Sequence, residues 1–244
     1  MQNSLIQEIS LQGIIFSSSV ILGMTGFGNA MIALPLMLLF MDPKLAIPVM
    51  IGISLFSQFT MQAIGRFPID WKLLWFLAIP ATIGTFVGAN LLNISEPGLL
   101  IDIVGIIIIV FALASLIGRQ ILSLRGRTAA IVIGFIAGVL GGVVALAGPP
   151  VVLYLSEEQA QSKLSFRGTI LAFFTIVIMT ALISYLVLGI LNLEHLILVA
   201  KLIPAMLIGV WVGIRLFARF SNETFRKLVL IFLIGLSFLI VLSR

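Results

Sequence analysis

Residues 128–155, TAAIVIGFIAGVLGGVVALAGPPVVLYL, decide the fold predicted for this chain. The segment is apolar throughout, and as a single α-helix it would reach roughly 42 Å. That length exceeds a hydrocarbon core of about 30 Å but is too short for two complete crossings. Glycines and the pair Pro149-Pro150 interrupt the helical pattern. Such a break is tolerated at membrane depth only where protein or a water-filled cavity satisfies the freed backbone groups.

The composition places the whole chain in a bilayer. Of the 244 residues, 61% are hydrophobic and 9% are charged, against averages of about 45–50% and about 25% in soluble domains. The net charge of +5 would suggest a nucleic-acid partner in a soluble domain, but the basic residues here lie between long apolar runs. We therefore expect a multi-pass protein of the cell membrane, the inner membrane in a bacterium, whose partner is lipid and not nucleic acid.

A glycine-rich sequence occurs in both halves of the chain. Gly23-Met24-Thr25-Gly26, followed by Pro35, returns 115 positions later as Gly138-Val139-Leu140-Gly141, followed by Pro150. Further along each half, the pair Gly84/Gly88 returns as Gly209/Gly213. Internal symmetry of this kind is the mark of a repeat architecture. We predict two repeats, residues 1–120 and 121–244.

The basic residues orient the two repeats, because short cytoplasmic loops are enriched in Lys and Arg. Three connections are basic, at 66–72, 119–127 and 215–227, whereas 93–97 and 190–194 contain no Lys or Arg. The first three are predicted to lie inside and the other two outside.

This orientation makes residues 128–155 enter and leave the membrane on one side. The connection 156–167 must be cytoplasmic if the following span, 168–190, is to reach the outside, yet 128–155 already begins from a cytoplasmic loop. The segment is therefore predicted to be a re-entrant hairpin. By the duplication, 9–41 should form a second hairpin that enters from the opposite side. The alternative for 9–41 is a full span followed by a half-helix, which would move the N-terminus inside.

We predict an all-α membrane protein with two inverted-topology repeats, each a broken re-entrant helical hairpin plus three transmembrane helices, and with both termini outside. The first repeat comprises the hairpin 9–41 and the spans 45–65, 71–93 and 97–118. The second comprises the hairpin 128–155 and the spans 168–190, 194–218 and 224–243.

The two breaks are the predicted substrate site, since opposed discontinuous helices form such sites in inverted repeats. Proline is tolerated at a helix start, and apolar helical stretches follow Pro35 and Pro149-Pro150. Each break would then offer free N–H groups and the positive end of a helix dipole, which suit an anion. The alternative is that the glycines only permit close helix packing. The predicted binding residues at the breaks are Thr25, Gly26, Phe27, Gly28, Asn29, Gly141, Gly142 and Gly148.

Few polar side chains lie within the predicted spans, where they are costly and mark function. Lys201 would supply a fixed positive charge to an anion, unless it extends to the membrane surface or pairs with a carbonyl. Gln58 and Gln62 stand at i and i+4 on one helix face and would face the same cavity, although glutamine in a span also joins helices. All three are predicted to bind substrate.

Arg167 and Asp102 are the candidates for gating or coupling. Arg167, at the cytoplasmic start of a span, would gate or attract anions, or simply anchor the helix. Asp102 is a carboxylate within an apolar run, which makes it either a proton-coupling residue or an interfacial one.

His195 is expected to be solvated at a helix start. The small-residue pairs predicted to pack helices are Gly84/Gly88, Gly134/Gly138 and Gly209/Gly213.

Catalytic and metal-binding motifs are missing from the sequence. It has no cysteine, no Gly-x-Ser-x-Gly, no His-Glu-x-x-His and no P-loop. We therefore predict no enzymatic activity, no cofactor and no bound metal. Any active transport would be driven by a gradient, for example of protons, or by a partner protein.

The paired breaks, each followed by proline and a long apolar helix, resemble the TauE/SafE sulfite exporter family, also called toluene sulfonate uptake permeases. The resemblance covers nearly the whole chain, and its best-matching residues are Gly23, Gly26, Gly28, Pro35, Gly138, Gly141, Gly142 and Pro150.

The resemblance implies a secondary transporter of small sulfur-containing anions, sulfite or short-chain organosulfonates such as sulfoacetate or taurine-like compounds. Transport would proceed by alternating access around a midplane site and often outward from the cytoplasm. A passive anion channel and a non-transporting membrane assembly factor are the alternatives. The exact substrate, the coupling ion and the oligomeric state stay open.

Overall fold

The computed structural model describes residues 2–65, 67–117, 126–157 and 163–217. The predicted span 224–243 and most of the basic connections 119–127 and 215–227 lie outside the described residues. Within these ranges the chain is α-helical and contains no strand. The helices are α1 (Gln2–Thr25), α2 (Asn29–Met37), α3 (Pro43–Ile64), α4 (Trp71–Ile94), α5 (Pro97–Ile117), α6 (Arg127–Val144), α7 (Gly148–Glu157), α8 (Lys163–Val187) and α9 (Leu193–Phe217).

Six of these helices are long and apolar enough to cross a membrane, as expected of a multi-pass protein. In α5 the apolar segment Pro97–Phe111 is shorter than the six. The candidate spans are Ile6–Thr25, Pro43–Ile64, Trp71–Ile94, Arg127–Val144, Leu164–Val187 and Leu193–Leu216.

The two predicted hairpins each consist of a long helix followed by a short one. Residues 9–41 contain most of α1 and all of α2, and residues 128–155 contain nearly all of α6 and most of α7. Both long helices are candidate spans, so neither has the length of a half-helix. For residues 9–41, the lengths of α1 and α2 match the alternative prediction of a full span followed by a half-helix.

Each short helix nevertheless doubles back along its long partner. Gln7, near the start of α1, donates from Nε2 to the Phe40 carbonyl beyond the end of α2, at 2.8 Å. Tyr154, near the end of α7, donates from its hydroxyl to the Gly126 carbonyl at the start of α6, at 3.2 Å. The same relation therefore holds in both halves of the chain.

Glycines end α1, as the sequence predicts. Gly26 and Gly28 have φ angles of 87° and 93°, in the left-handed region that glycine adopts without strain. Thr25 closes the turn, because its hydroxyl donates to the Ile21 carbonyl at 2.8 Å and accepts from the Phe27 N–H at 3.2 Å. Pro35, expected near a helix start, lies instead inside α2.

An alanine, not a glycine, ends α6. Ala145 has a φ of 59°, and its N–H bonds the Gly141 carbonyl. The bond from the Ala145 N–H to Gly141 is the one that defines an αL helix end, and the next N–H, of Leu146, reaches back to the Leu140 carbonyl at 3.2 Å. Two prolines then follow in the first turn of α7, where their missing N–H groups are least costly.

Glycines let two pairs of helices approach to backbone contact. A Cβ on any of them would come within 3.0 Å of the facing backbone, closer than real Cβ atoms approach. The prediction that Gly84/Gly88, Gly134/Gly138 and Gly209/Gly213 pack helices is confirmed, and Gly23 and Gly142, which were assigned to the breaks, lie in the same contacts. At the α4–α6 contact the glycines are Gly84, Gly88, Gly134, Gly138 and Gly142, and at the α1–α9 contact Gly23, Gly209 and Gly213.

The connections 93–97 and 190–194, predicted to lie outside, adjoin the connection 42–44, which the opposite entry of 9–41 also places outside. Lys44 donates from Nζ to the Asn93 carbonyl at 3.2 Å, and His195 Nε2 lies 3.2 Å from the Lys44 carbonyl. His195 is only 5% exposed, so the expectation that it is solvated was wrong, because its ring is used between α9 and α3. Elsewhere the Asp70 N–H donates to Thr169 Oγ1 at 3.0 Å, which joins the connection before α4 to the start of α8.

Candidate functional site

A small cavity lies where the two breaks meet. It is lined by residues 27–31 of the first break and by Gly141 and residues 145–148 of the second. Helices α3 and α8 complete the wall. Its volume is about 40 Å³, on a measure by which one water molecule needs roughly 10–15 Å³. The space therefore suits a group of a few non-hydrogen atoms.

Two helices begin at this cavity. Asn29, the first residue of α2, and Gly148, the first residue of α7, both line it. The start of a helix carries orphan N–H groups and the equivalent of about half a positive charge. Gly28 has no side chain with which to cap α2. The two starts together therefore make one electropositive place without a cationic side chain.

The α7 start offers fewer donors than the α2 start. Pro149 and Pro150 occupy its first turn and have no N–H. The dipole of α7 is unaffected, but direct hydrogen bonds to a ligand must come mainly from the α2 side. The two halves of the site are thus unequal, although the sequence predicted them by symmetry.

Three polar side chains line the cavity. Asn29 donates from Nδ2 to Ser54 Oγ at 3.4 Å, and its Oδ1 accepts from the Ala30 N–H at 2.9 Å. Gln58, one turn beyond Ser54 on α3, is 2% exposed. Its Oε1 is buried and has no hydrogen-bond partner among the described residues. The site thus holds an acceptor that none of the described residues satisfies.

The remaining wall is apolar. Ile51 of α3 and Phe174, Val177 and Ile178 of α8 line the cavity, and its sixteen lining residues include no Lys, Arg, Asp or Glu. Such walls exclude water and strengthen the interaction of a bound charge with the helix starts. The electrostatics of the site therefore depend on backbone and amide groups.

Arg167 closes the end of α1 beside the first break. It donates from Nη2 to the Gly23 carbonyl at 2.9 Å, in the last turn of α1, and its side chain packs against Gly26. Its guanidinium carbon lies 4.9 Å from the centre of the Phe67 ring. A cation at a helix C-terminus is favourable because the last carbonyls are electronegative. Arg167 thus holds the break in place and does not itself line the cavity.

Tyr185 binds a carbonyl at the end of α6, just as Arg167 binds one at the end of α1. Its buried hydroxyl donates to the Gly142 carbonyl at 2.7 Å, in the last turn of α6. Both side chains come from α8. Tyr185 was not among the residues predicted from the sequence, although a tyrosine in an apolar span indicates that its hydroxyl needs a partner.

Several residues proposed from the sequence lie apart from the cavity. Gln62 donates from Nε2 to Thr175 Oγ1 at 2.7 Å and so joins α3 to α8. Lys201 pairs with Glu8 of α1, Nζ to Oε1 at 3.1 Å, with 54% of its side chain exposed. Asp102 is exposed on α5. The structure does not bring these three side chains to the site, and the fixed positive charge expected of Lys201 is directed to a carboxylate instead.

The structure does bring together six of the predicted binding residues. Thr25 and Gly26 form the turn just before the first break, and Gly142 lies in the last turn of α6. Sequence reasoning missed Ser54, which shares the i, i+4 face of Gln58, and also Ala145 and Phe174, for which no local signal exists. The six that line the cavity are Phe27, Gly28, Asn29, Gln58, Gly141 and Gly148.

Interrupted helices that meet at a cavity within the membrane are a recurring feature of membrane transporters. This chain belongs to the sulfite exporter TauE/SafE family, which matches its residues 11–240. The family is one of membrane transporters and not of enzymes. The chain is accordingly a multi-pass membrane protein whose expected location is the bacterial inner membrane. No curated protein and no solved structure matches it.

Proposed function

We propose that this protein is a secondary transporter that exports small sulfur-containing anions, sulfite or short-chain organosulfonates, by alternating access around the cavity between the two breaks. One observation carries the proposal: two helices, α2 and α7, start at the same small cavity. Helix starts bind anions through backbone N–H groups and the dipole. The sulfur chemistry is taken from the family and not from the geometry.

In this proposal the cavity residues have different roles in binding the anion. Gly28 and Asn29 line the cavity at the start of α2, and Gly148 lines it at the start of α7. Asn29 and Gln58 supply amide groups, while Phe27 and Gly141 shape the opening between the breaks. The volume of about 40 Å³ favours an anion of sulfite size over longer sulfonates, since it corresponds to only a few water molecules.

Inverted repeats and re-entrant hairpins belong to the same proposal. Two features support them: each short helix doubles back on its long partner, and the halves pack reciprocally, α1 on α9 and α4 on α6. A rocking motion of one repeat against the other would open the cavity to alternate sides. Arg167, which fastens the end of α1 to α8, is the proposed gating residue on the cytoplasmic side.

Transport is tested with the purified protein in sealed vesicles under an imposed proton or ion gradient. We expect sulfite to move against its own concentration difference. Movement that stops at equal concentrations would indicate a passive channel, and absence of any flux would contradict the proposal.

The site is tested with a matched pair of variants. Asn29→Leu removes an amide from the cavity and should lower the transport rate about ten-fold or more, the cost of losing one hydrogen bond to a charged group. Asn90→Leu removes an amide that bonds only its own helix, at the Phe86 carbonyl, and should transport normally. Equal rates for the two variants would remove Asn29 from the site.

A further inference from the structure

The amide oxygen of Gln58, which has no partner among the described residues, indicates that the ligand carries a hydrogen-bond donor. An acceptor left without a partner is costly in a buried site, and such groups in native structures call for an explanation. Gln58 lines the cavity and is 2% exposed, and its Oε1 has no partner among the described residues. A hydrogen-bond donor on the ligand would satisfy it, whereas a fully deprotonated oxyanion carries only acceptors.

The charge of the cavity leads independently to the same kind of ligand. None of the sixteen lining residues is charged or titratable. The starts of α2 and α7 are each equivalent to about half a positive charge, so together they balance about one negative charge. A second negative charge between apolar walls would have no partner and would be expensive to bury.

We propose that the site takes its anion as a monoanion that carries a hydrogen-bond donor, and that Gln58 Oε1 accepts that donor. This inference rests on the proposed function. For the sulfur oxyanions it selects hydrogensulfite over the sulfite dianion. Among organosulfonates, whose sulfonate group carries one negative charge and no proton, it selects those that bear a hydroxyl group near the sulfur and no second charge.

Two small monoanions of equal shape test the donor directly. At mildly acidic pH, methanesulfonate and methylphosphonate each carry one negative charge on a tetrahedral group with one methyl, but only methylphosphonate keeps an O–H. We expect calorimetry on the full-length protein in detergent to give methylphosphonate an affinity about ten-fold or more above that of methanesulfonate. Equal affinities, or a preference for methanesulfonate, would overturn the inference and leave the anion site standing. If neither ion bound, both the inference and the proposed anion site would fall.

A variant pair assigns the preference to Gln58. Gln58→Met keeps the length of the side chain without its acceptor, so the ratio of the two affinities should fall to about one. Gln62→Met, one turn away, removes an amide that bonds Thr175 outside the cavity and should keep the wild-type ratio. A preference that survives in Gln58→Met would overturn the role of Gln58. The comparison of the two ions on the unaltered protein is decisive even if Gln58→Met does not fold.

Discussion

Ala145 holds a backbone conformation that alanine rarely adopts. Its φ of 59° ends α6 next to the cavity, where glycine would be the usual residue. Strained positions of this kind persist where the surroundings determine them, and they cluster at functional sites. In the first half the corresponding turn contains Gly26 and Gly28, so only the second break stores this strain.

Relief of this strain is measurable. Ala145→Gly should stabilise the protein by about 1 kcal/mol, because glycine adopts the left-handed region without a Cβ clash. The measurement is thermal unfolding in detergent. Ala147→Gly is the control, since Ala147 lies in the same break without a positive φ, and it should not stabilise. A lower unfolding temperature for Ala145→Gly would contradict this account of the turn.

The two tyrosines of the chain provide a second comparison. Tyr185 is fully buried and donates to the Gly142 carbonyl at 2.7 Å, whereas Tyr154 donates to Gly126 at 3.2 Å. Tyr185→Phe leaves a buried carbonyl without its partner and should destabilise by about 1–3 kcal/mol. Tyr154→Phe should cost less. Thermal unfolding of both variants checks the order, and a smaller loss for Tyr185→Phe would refute it.

Among the elements, α8 touches both breaks. Arg167 and Tyr185 are 18 residues apart along it, which is about 27 Å of helix. The cavity-lining residues Phe174, Val177 and Ile178 lie between them. Side chains of α8 therefore hydrogen-bond to the ends of both α1 and α6, and α8 also forms a wall of the site. The geometry of both breaks depends on the position of this helix.

Glycine contacts hold α4 against α6. Gly138→Ala would place a methyl group within 3.0 Å of the Ala81 backbone, and backbone cannot move aside as a flexible side chain does. We expect a loss of about 1–3 kcal/mol in the free energy of unfolding, the usual cost of overpacking. Gly13→Ala is the control, because nothing lies within 4 Å of the added methyl. Equal stability of the two variants would show that the helices are not in close contact.

At the scale of the molecule, the prediction of opposed sidedness is open to a labelling experiment. The chain has no cysteine, so single cysteines report without background. Cysteines at positions 42–44 should label from outside with an impermeant reagent, and cysteines at 156–162 from the cytoplasm, because basic connections are retained inside. Labelling of both from the same side would exclude the inverted arrangement.

Local features of the sequence predicted where helices stop but not where distant side chains go. The breaks near Gly26 and Ala145 follow from glycine and proline, whose effects are local. The pairing of Lys201 with Glu8 was not predicted, because Glu8 is far away in the chain, on α1. His195 was misplaced for the same reason, since its ring meets Lys44.

Helical spacing also did not predict which side chains of one helix face line the cavity. Gln58 and Gln62 share a face by the i, i+4 rule, yet one lines the cavity and the other bonds Thr175. A face of a helix is wide enough to touch two neighbours, and only the packing of α3 against α8 decides between them. The proposed sulfur chemistry comes from the family match, because neither spacing nor composition contains it.

The glycine contacts also limit how the chain can be divided. One joins α1 to α9 and the other joins α4 to α6, so each runs between the first half of the sequence and the second. A fragment that ends between α5 and α6 would keep one face of each contact and lack the other. The two predicted repeats are therefore not expected to fold separately: a chain cut between them should regain its structure only when both fragments reassemble.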